Sequence, residues 1–173
     1  MGSATLVWDA SALAAAARID RLDVLSDLAR LWRNVTTKAV VSELTNIGLS
    51  LGNWPEIEAV DDLTVLQAVV SWAQRVGGFT SGHNRGEATV FAWAEVHTAI
   101  PMIDDQQAAA IARRHGLQTH GTLWLFAEAI IDGRETEQSL CGVIDSLLNG
   151  RARYPFESGR HFPAWARDHK LLP

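Results

Sequence analysis

The chain has one cysteine, Cys141, so it can form no internal disulfide, and no CxxC or Cys/His pair has the spacing to hold zinc. No uninterrupted apolar run approaches the roughly 20 residues that a membrane helix needs. The start, MGSATLVWDA, lacks the basic segment and long apolar stretch of a signal peptide. Cytoplasmic residence without a membrane partner is therefore the expectation. Internal repeats, low-complexity tracts and linkers are also missing. So are the compact catalytic signatures: there is no GxxxxGK[ST] loop, no GxGxxG after a strand, no GxSxG elbow and no HExxH. The six His residues are scattered, which leaves His83 and His120 as general-base candidates without an evident partner.

What is there describes one folded domain. At 173 residues the chain can bury a proper core, and 47% apolar with 20% charged residues excludes wholesale disorder. The formal net charge of −5 runs against a nucleic-acid partner, whose phosphates favour basic surfaces. Only Lys38 and Lys170 among the fifteen basic residues are Lys, however, and the other thirteen are Arg, the residue that forks onto phosphate. Arg151, Arg153, Arg160 and Arg167 gather late in the chain, where a solvated tail and a phosphate-binding one are equally open.

Periodicity places the elements. Thr5–Trp8 reads as a buried strand, followed by Asp9 and Ser11 before an Ala-rich helix. Leu22, Leu25, Leu28 and Trp32 recur at helical spacing, and Asn34–Thr37 reads as a second strand leading into a helix through Val40 and Leu44. Gly48–Pro55 is a loop and Ile57–Val60 a third strand. Leu63–Val76 is a helix, Gly77–Gly86 a loop, and Glu87–Val96 a helix. Ala99–Ile103 is a strand, and Asp105 opens a helix that stops at His115-Gly116. Leu117–Thr119 is a last strand, with helices from Gly121 to Asp132 and from Glu135 to Leu148. This alternation predicts an α/β fold, three-layer α/β/α with a mostly parallel central sheet. The domain is expected over 1–150. Residues 151–173 are expected to be an extension, irregular and packed through Tyr154, Phe156, Phe162 and Trp165. Trp8, Trp72, Trp93 and Trp124 fall in apolar patterns and read as core, while Trp54 and Trp165 read as the more exposed pair.

The acids carry the function. Asp9, Glu43, Glu87 and the pair Asp104-Asp105 each stand where a strand ends or a helix begins. Any one of them has an ordinary explanation. Asp9 and either Asp104 or Asp105 can cap a helix, Asn84-Arg-Gly-Glu87 resembles a capping box, and Glu43 can sit on an exposed helix face. As a set they are harder to dismiss, because ligands of open α/β sheets bind beyond the carboxyl ends of the strands. Carboxylates gathered there repel one another unless a cation intervenes, and hard oxygen ligands suit Mg²⁺ or Mn²⁺. Such a site activates water and offsets charge developing on a phosphodiester.

The pieces LVWDASAL, VVSEL, NRGEATVFAWA and PMIDDQQAAAIARRHGLQTHGTLWLFAEA resemble the PIN-domain family. They are closest to the VapC-like toxins of bacterial type II toxin–antitoxin pairs, over roughly residues 4–150. The resemblance implies a Mg²⁺- or Mn²⁺-dependent ribonuclease that cleaves RNA, with Asp9, Glu43, Glu87 and Asp105 as metal-binding and catalytic acids. Asp104 stands beside them as a further ligand, and Ser11 and Thr122 would orient carboxylates. It also implies a cognate antitoxin, and the apolar helix faces at Leu22–Trp32 and Leu63–Val76 suggest a homodimer. A PIN-like protein that binds RNA or a partner but cuts poorly is the alternative. A phosphoacceptor receiver domain fits less well, since it needs its acid pair after the first strand and a Lys after the last.

Overall fold

The computed structural model describes residues 4–78 and 84–173. Four strands, β1 Thr5–Trp8, β2 Arg33–Thr37, β3 Glu56–Glu58 and β4 Ile100–Met102, form one all-parallel sheet in the order β3-β2-β1-β4. Parallel neighbours need crossovers, which helices supply. These are α1 Ala10–Arg18 and α2 Leu22–Leu28 before β2, then α3 Lys38–Asn46 before β3. The connection from β3 to β4 carries α4 Leu63–Arg75 and α5 Asn84–His97. After β4 come α6 Gln106–Arg114, α7 Thr122–Ile131, α8 Glu137–Asn149 and α9 Phe162–Asp168. The result is the expected three-layer α/β/α arrangement.

Chain order builds the sheet outward from β1 through β2 to β3, then crosses back to lay β4 on the other side of β1. The β1–β4 boundary is therefore where strand order reverses, and its carboxyl end is the crevice in which such sheets bind ligands. Register is parallel throughout, with Trp8 opposite Thr36 on one side and Met102 on the other. Leu6, Val7 and Trp8 are fully buried, as the central strand of a two-sided sheet requires. The α5 helix packs against β1, β2 and β4 as well as α4. That burial explains its apolar run from Ala88 to Ala94, which shows no exposed polar stripe.

Several expected boundaries differ. The α5 helix begins at Asn84, so the last three residues of the expected Gly77–Gly86 loop are helical. The expected capping box does not form there: the Asn84 side-chain amide donates to the carbonyls of Val76 and Gly78 instead. Residues 117–119 form no strand. Only His120 bridges to Met102, because one residue of pairing is all that fits before Gly121 starts α7. The segment after residue 150 is not irregular throughout, since a 3-10 turn at Gly159–His161 leads into α9. Phe162 at its start is fully buried and meets the Phe126 ring at 6.3 Å. Trp54 is half-buried, its ring edge-on to the buried Trp8 at 5.1 Å. Trp165 is also half-buried, stacked on His169 at 4.2 Å. Among the described residues no helix is long and apolar enough to cross a membrane.

Candidate active site

The crevice at the end of β1 and β4 opens into a cavity of about 590 Å³. Asp9, Glu43, Glu87, Asp104 and Asp105 all line it. Each reaches it from a different element, and the local chemistry that fixes each one is visible.

Asp9 ends β1 and caps α1, so the ordinary explanation for it is true and incomplete. Its Oδ2 accepts the Ser11 backbone N–H at 2.9 Å and the Ser11 hydroxyl at 2.6 Å. The same hydroxyl oxygen accepts the backbone N–H groups of Asp104 at 3.1 Å and Asp105 at 3.4 Å. Ser11 thus ties the end of β1 to the end of β4 and holds the first acid beside the later pair. Asp9 is 2% exposed, and its Oδ1 is buried with no hydrogen-bond partner. Such an atom is costly unless something else satisfies it. Burial pushes the Asp9 carboxyl up, against the hydrogen bonds from Ser11 and Ala10, and the nearby charge of Asp105 adds to the rise.

Asp104 is gripped by the start of α7: Thr122 donates its backbone N–H to Oδ1 at 2.7 Å and its hydroxyl to Oδ2 at 2.8 Å. Gly121 is required for this approach, because a Cβ there would stand 2.7 Å from Asp104 Oδ1 and 3.3 Å from the Ile103 carbonyl. Burial still raises Asp104 to about 6, with the Thr122 bonds opposing and the Asp9 charge adding. Asp105 caps α6 through a 2.8 Å bond from the Ala108 N–H to Oδ1.

Glu43, on the half-buried side of α3, accepts the Gly86 N–H at 2.7 Å on Oε1. A carboxylate at the first turn of α5 meets unpaired helix N–H groups and the positive end of its dipole. Gly86 permits this because a Cβ would lie 2.7 Å from Glu43 Oε2. Burial raises Glu43 to about 7, opposed by the Gly86 bond, while Asp9 pushes it up and Arg85 pulls it down. Glu87 follows on the same turn. Burial raises it to about 8, and the charges of Asp9, Asp105 and Glu43 all push the same way.

Sequence reasoning gave one residue beside the site a packing role only. Tyr154, in the C-terminal extension, has its hydroxyl 2.8 Å from Thr122 Oγ1. Since the Thr122 proton goes to Asp104, Tyr154 is the donor of that pair, and a chain Tyr154–Thr122–Asp104 runs into the site. Nothing local in ARYPFE signals this; the contact spans 32 residues. The extension also brings cations. Gly150 packs so tightly on α1 that a Cβ would meet the Ala15 carbonyl at 2.4 Å, and Arg18 donates to the Gly150 carbonyl at 3.2 Å. Arg18, Arg151 and Arg153 line the same cavity as the acids. His120 is not on that wall. It stacks on Trp124 at 4.1 Å, and burial lowers its pKa. His83 lies outside the described residues.

The donor set fits a hard divalent cation: it is all oxygen, one buried oxygen lacks a partner, and burial first and neighbouring carboxylates second disfavour the charge of each raised carboxyl. In this conformation, among the described residues, no three of these side chains are gathered closely enough to hold an ion. The carboxylates share a cavity wall without meeting at a point. One family model, that of DUF3368, a PIN domain, matches the chain over residues 5–158. No curated protein matches the chain. PIN domains are typically nucleases, and with the match covering most of its length the chain belongs to the PIN-domain family.

Proposed function

We propose that the protein is a Mg²⁺- or Mn²⁺-dependent endoribonuclease that hydrolyses RNA phosphodiester bonds. The observation that carries the reading is the convergence of five acids on one cavity beside the unsatisfied Asp9 Oδ1. Asp9, Glu43, Glu87 and Asp105 would hold the cation, with Asp104 beside them. A divalent cation there supplies a Lewis acid that acidifies water and offsets the charge building on the phosphodiester. The chain's own residues do the rest. Ser11 fixes Asp9 Oδ2 and leaves Oδ1 free to ligate. Gly86 anchors Oε1 of Glu43 and leaves Oε2. Glu87, which burial raises to about 8, would hold the cation as a carboxylate and would lose its proton on doing so. No protein nucleophile is needed, and among the described residues no Ser or Cys side chain is hydrogen-bonded to a His.

In the cell the same reading makes the chain the toxin of a toxin–antitoxin pair in the cytoplasm. Leu63 and Val70 support it: they are 76% and 55% exposed on one face of α4, an apolar strip suited to an antitoxin segment or a second copy. A binding-only protein is the second reading, favoured by the lack of any three ligating side chains close together among the described residues. Incubation of the purified chain with RNA in Mg²⁺ or Mn²⁺, and again in EDTA, separates them. Cleavage abolished by EDTA and by Asp9→Asn is expected. RNA retention without cleavage in either metal would favour the second reading, and cleavage that survives both treatments would overturn the first.

A further inference from the structure

A second cavity, of about 480 Å³, lies on the other side of Glu43, which lines both. Its composition differs from the first. Val60, Leu66 and Val69 supply apolar surface, and Leu66 is 41% exposed. Ser42 and Asn46 stand four residues apart on α3, so both project along the same edge. Lys38 and Arg85, the first residue of α3 and the second of α5, complete the lining. Apolar surface for a flat ring, an amide and a hydroxyl for its edge, and two cations for a phosphate are the requirements of one nucleotide unit.

The charges point the same way. Arg21, Arg30, Arg33, Arg134 and Arg167 each pair with an Asp or Glu. Lys38 and Arg85 at the second cavity, and Arg151 and Arg153 at the first, have no ion-pair partner among the described residues. In a chain of net charge −5, unpaired cations on both sides of a carboxylate cluster are suited to a polyanion that must pass over it.

We propose that the second cavity binds one nucleotide of single-stranded RNA beyond the bond that is cut, so that the strand crosses Glu43 with phosphates held on both sides. Lys38 and Arg85 hold the far phosphate, Leu66 and Val69 take the face of the base, and Asn46 reads its edge. This rests on the ribonuclease reading and adds to it a binding position beyond the bond that is cut.

The test is steady-state cleavage of a single-stranded RNA twelve-mer in Mg²⁺ by the full chain and by Lys38→Ala/Asn46→Ala. Both residues are exposed, and an unchanged melting temperature verifies the fold. Loss of one phosphate contact from a single strand costs about 5-fold in affinity at about 0.1 M salt. KM is expected to rise at least about 5-fold with kcat held within about twofold, and the salt dependence of KM to become shallower. A dinucleoside monophosphate, whose one phosphate is the cut one, offers Lys38 no far phosphate, so the rise in KM for the double variant is expected to be smaller on it than on the twelve-mer. Arg113→Ala, an exposed cation on α6 that lines neither cavity, is expected to match the unmodified chain. An unchanged KM for the double variant, or an equal rise for Arg113→Ala, would overturn the inference while leaving the ribonuclease reading standing. An unmodified chain that neither cuts nor binds the twelve-mer would overturn both.

Discussion

Gly86→Ala separates the placement of Glu43 from the stability of the fold. Gly86 is helical with no left-handed backbone requirement, so alanine suits its dihedrals and gains about 1 kcal/mol of helix propensity. The new Cβ would stand 2.7 Å from Glu43 Oε2 and 2.9 Å from Oε1 and the carboxyl carbon. Ordinary contact begins near 3.4 Å, so the carboxylate must retreat by about 0.7 Å or turn away, and its 2.7 Å bond from the Gly86 N–H is weakened. A hydrogen bond to a charged group contributes about 1.5–3 kcal/mol, less when the acceptor is half exposed. Because the obstructing atoms end a flexible side chain, the two effects offset to within about 2 kcal/mol, a shift of several degrees in melting temperature. Activity responds differently. Displacing a ligating group by about 1 Å, or removing its supporting bond, costs about 10- to 100-fold. The expected result is kcat/KM for RNA down by about that factor with a melting temperature within several degrees of the unmodified chain. Full activity in Gly86→Ala would show that Glu43 need not be held where it is. A collapse of the fold would show that Gly86 serves packing and not the site.

Stability should depend on pH with a definite sign. Glu43 at about 7 and Glu87 at about 8 lie above their ordinary 4.5, so between these limits the folded chain binds more protons than the unfolded one, and stability falls as pH rises. Melting in EDTA is expected to drop from pH 5 to pH 8.5, with Mg²⁺ restoring it at pH 8.5 and doing little at pH 5; a flat profile would contradict the buried-acid account. Tyr154→Phe removes the donor to Thr122 and is expected to raise the Mg²⁺ concentration for half-maximal cleavage several-fold with the melting temperature little changed, whereas an unaltered Mg²⁺ response would confine Tyr154 to packing. Light scattering at micromolar concentration is expected to give a dimer that Leu63→Glu/Val70→Glu dissociates, and a monomer in the unmodified chain would leave the α4 strip to another partner.

The parallel sheet was legible because its strands are short apolar runs ended by turn-forming or acidic residues, as at Leu6–Asp9 and Pro101–Asp105. Asp9 and the pair Asp104-Asp105 could be expected at the crevice from those strand ends alone. The residues that hold them were harder. Gly86 reads as a loop residue because helices disfavour glycine, and only the approach of Glu43, 43 positions away, explains it inside α5. Leu117–Thr119 looks like a strand by composition, but strand length depends on the neighbour, and β4 offers His120 only one bridge. Tyr154 carries no local pattern at all, since its role depends on how the extension folds back onto α7. Local chemistry marked the acids, and long-range contacts decided their supports.

The central claim is that these carboxylates hold a divalent cation, and its most direct test is anomalous scattering from a crystal of the full chain soaked in Mn²⁺. The account predicts a peak about 2.1 Å from Asp9 Oδ1 with at least two further carboxylate oxygens of Glu43, Glu87, Asp104 or Asp105 drawn into its coordination. A Mn²⁺ peak elsewhere, or none in the cavity at a concentration that supports cleavage, would contradict it.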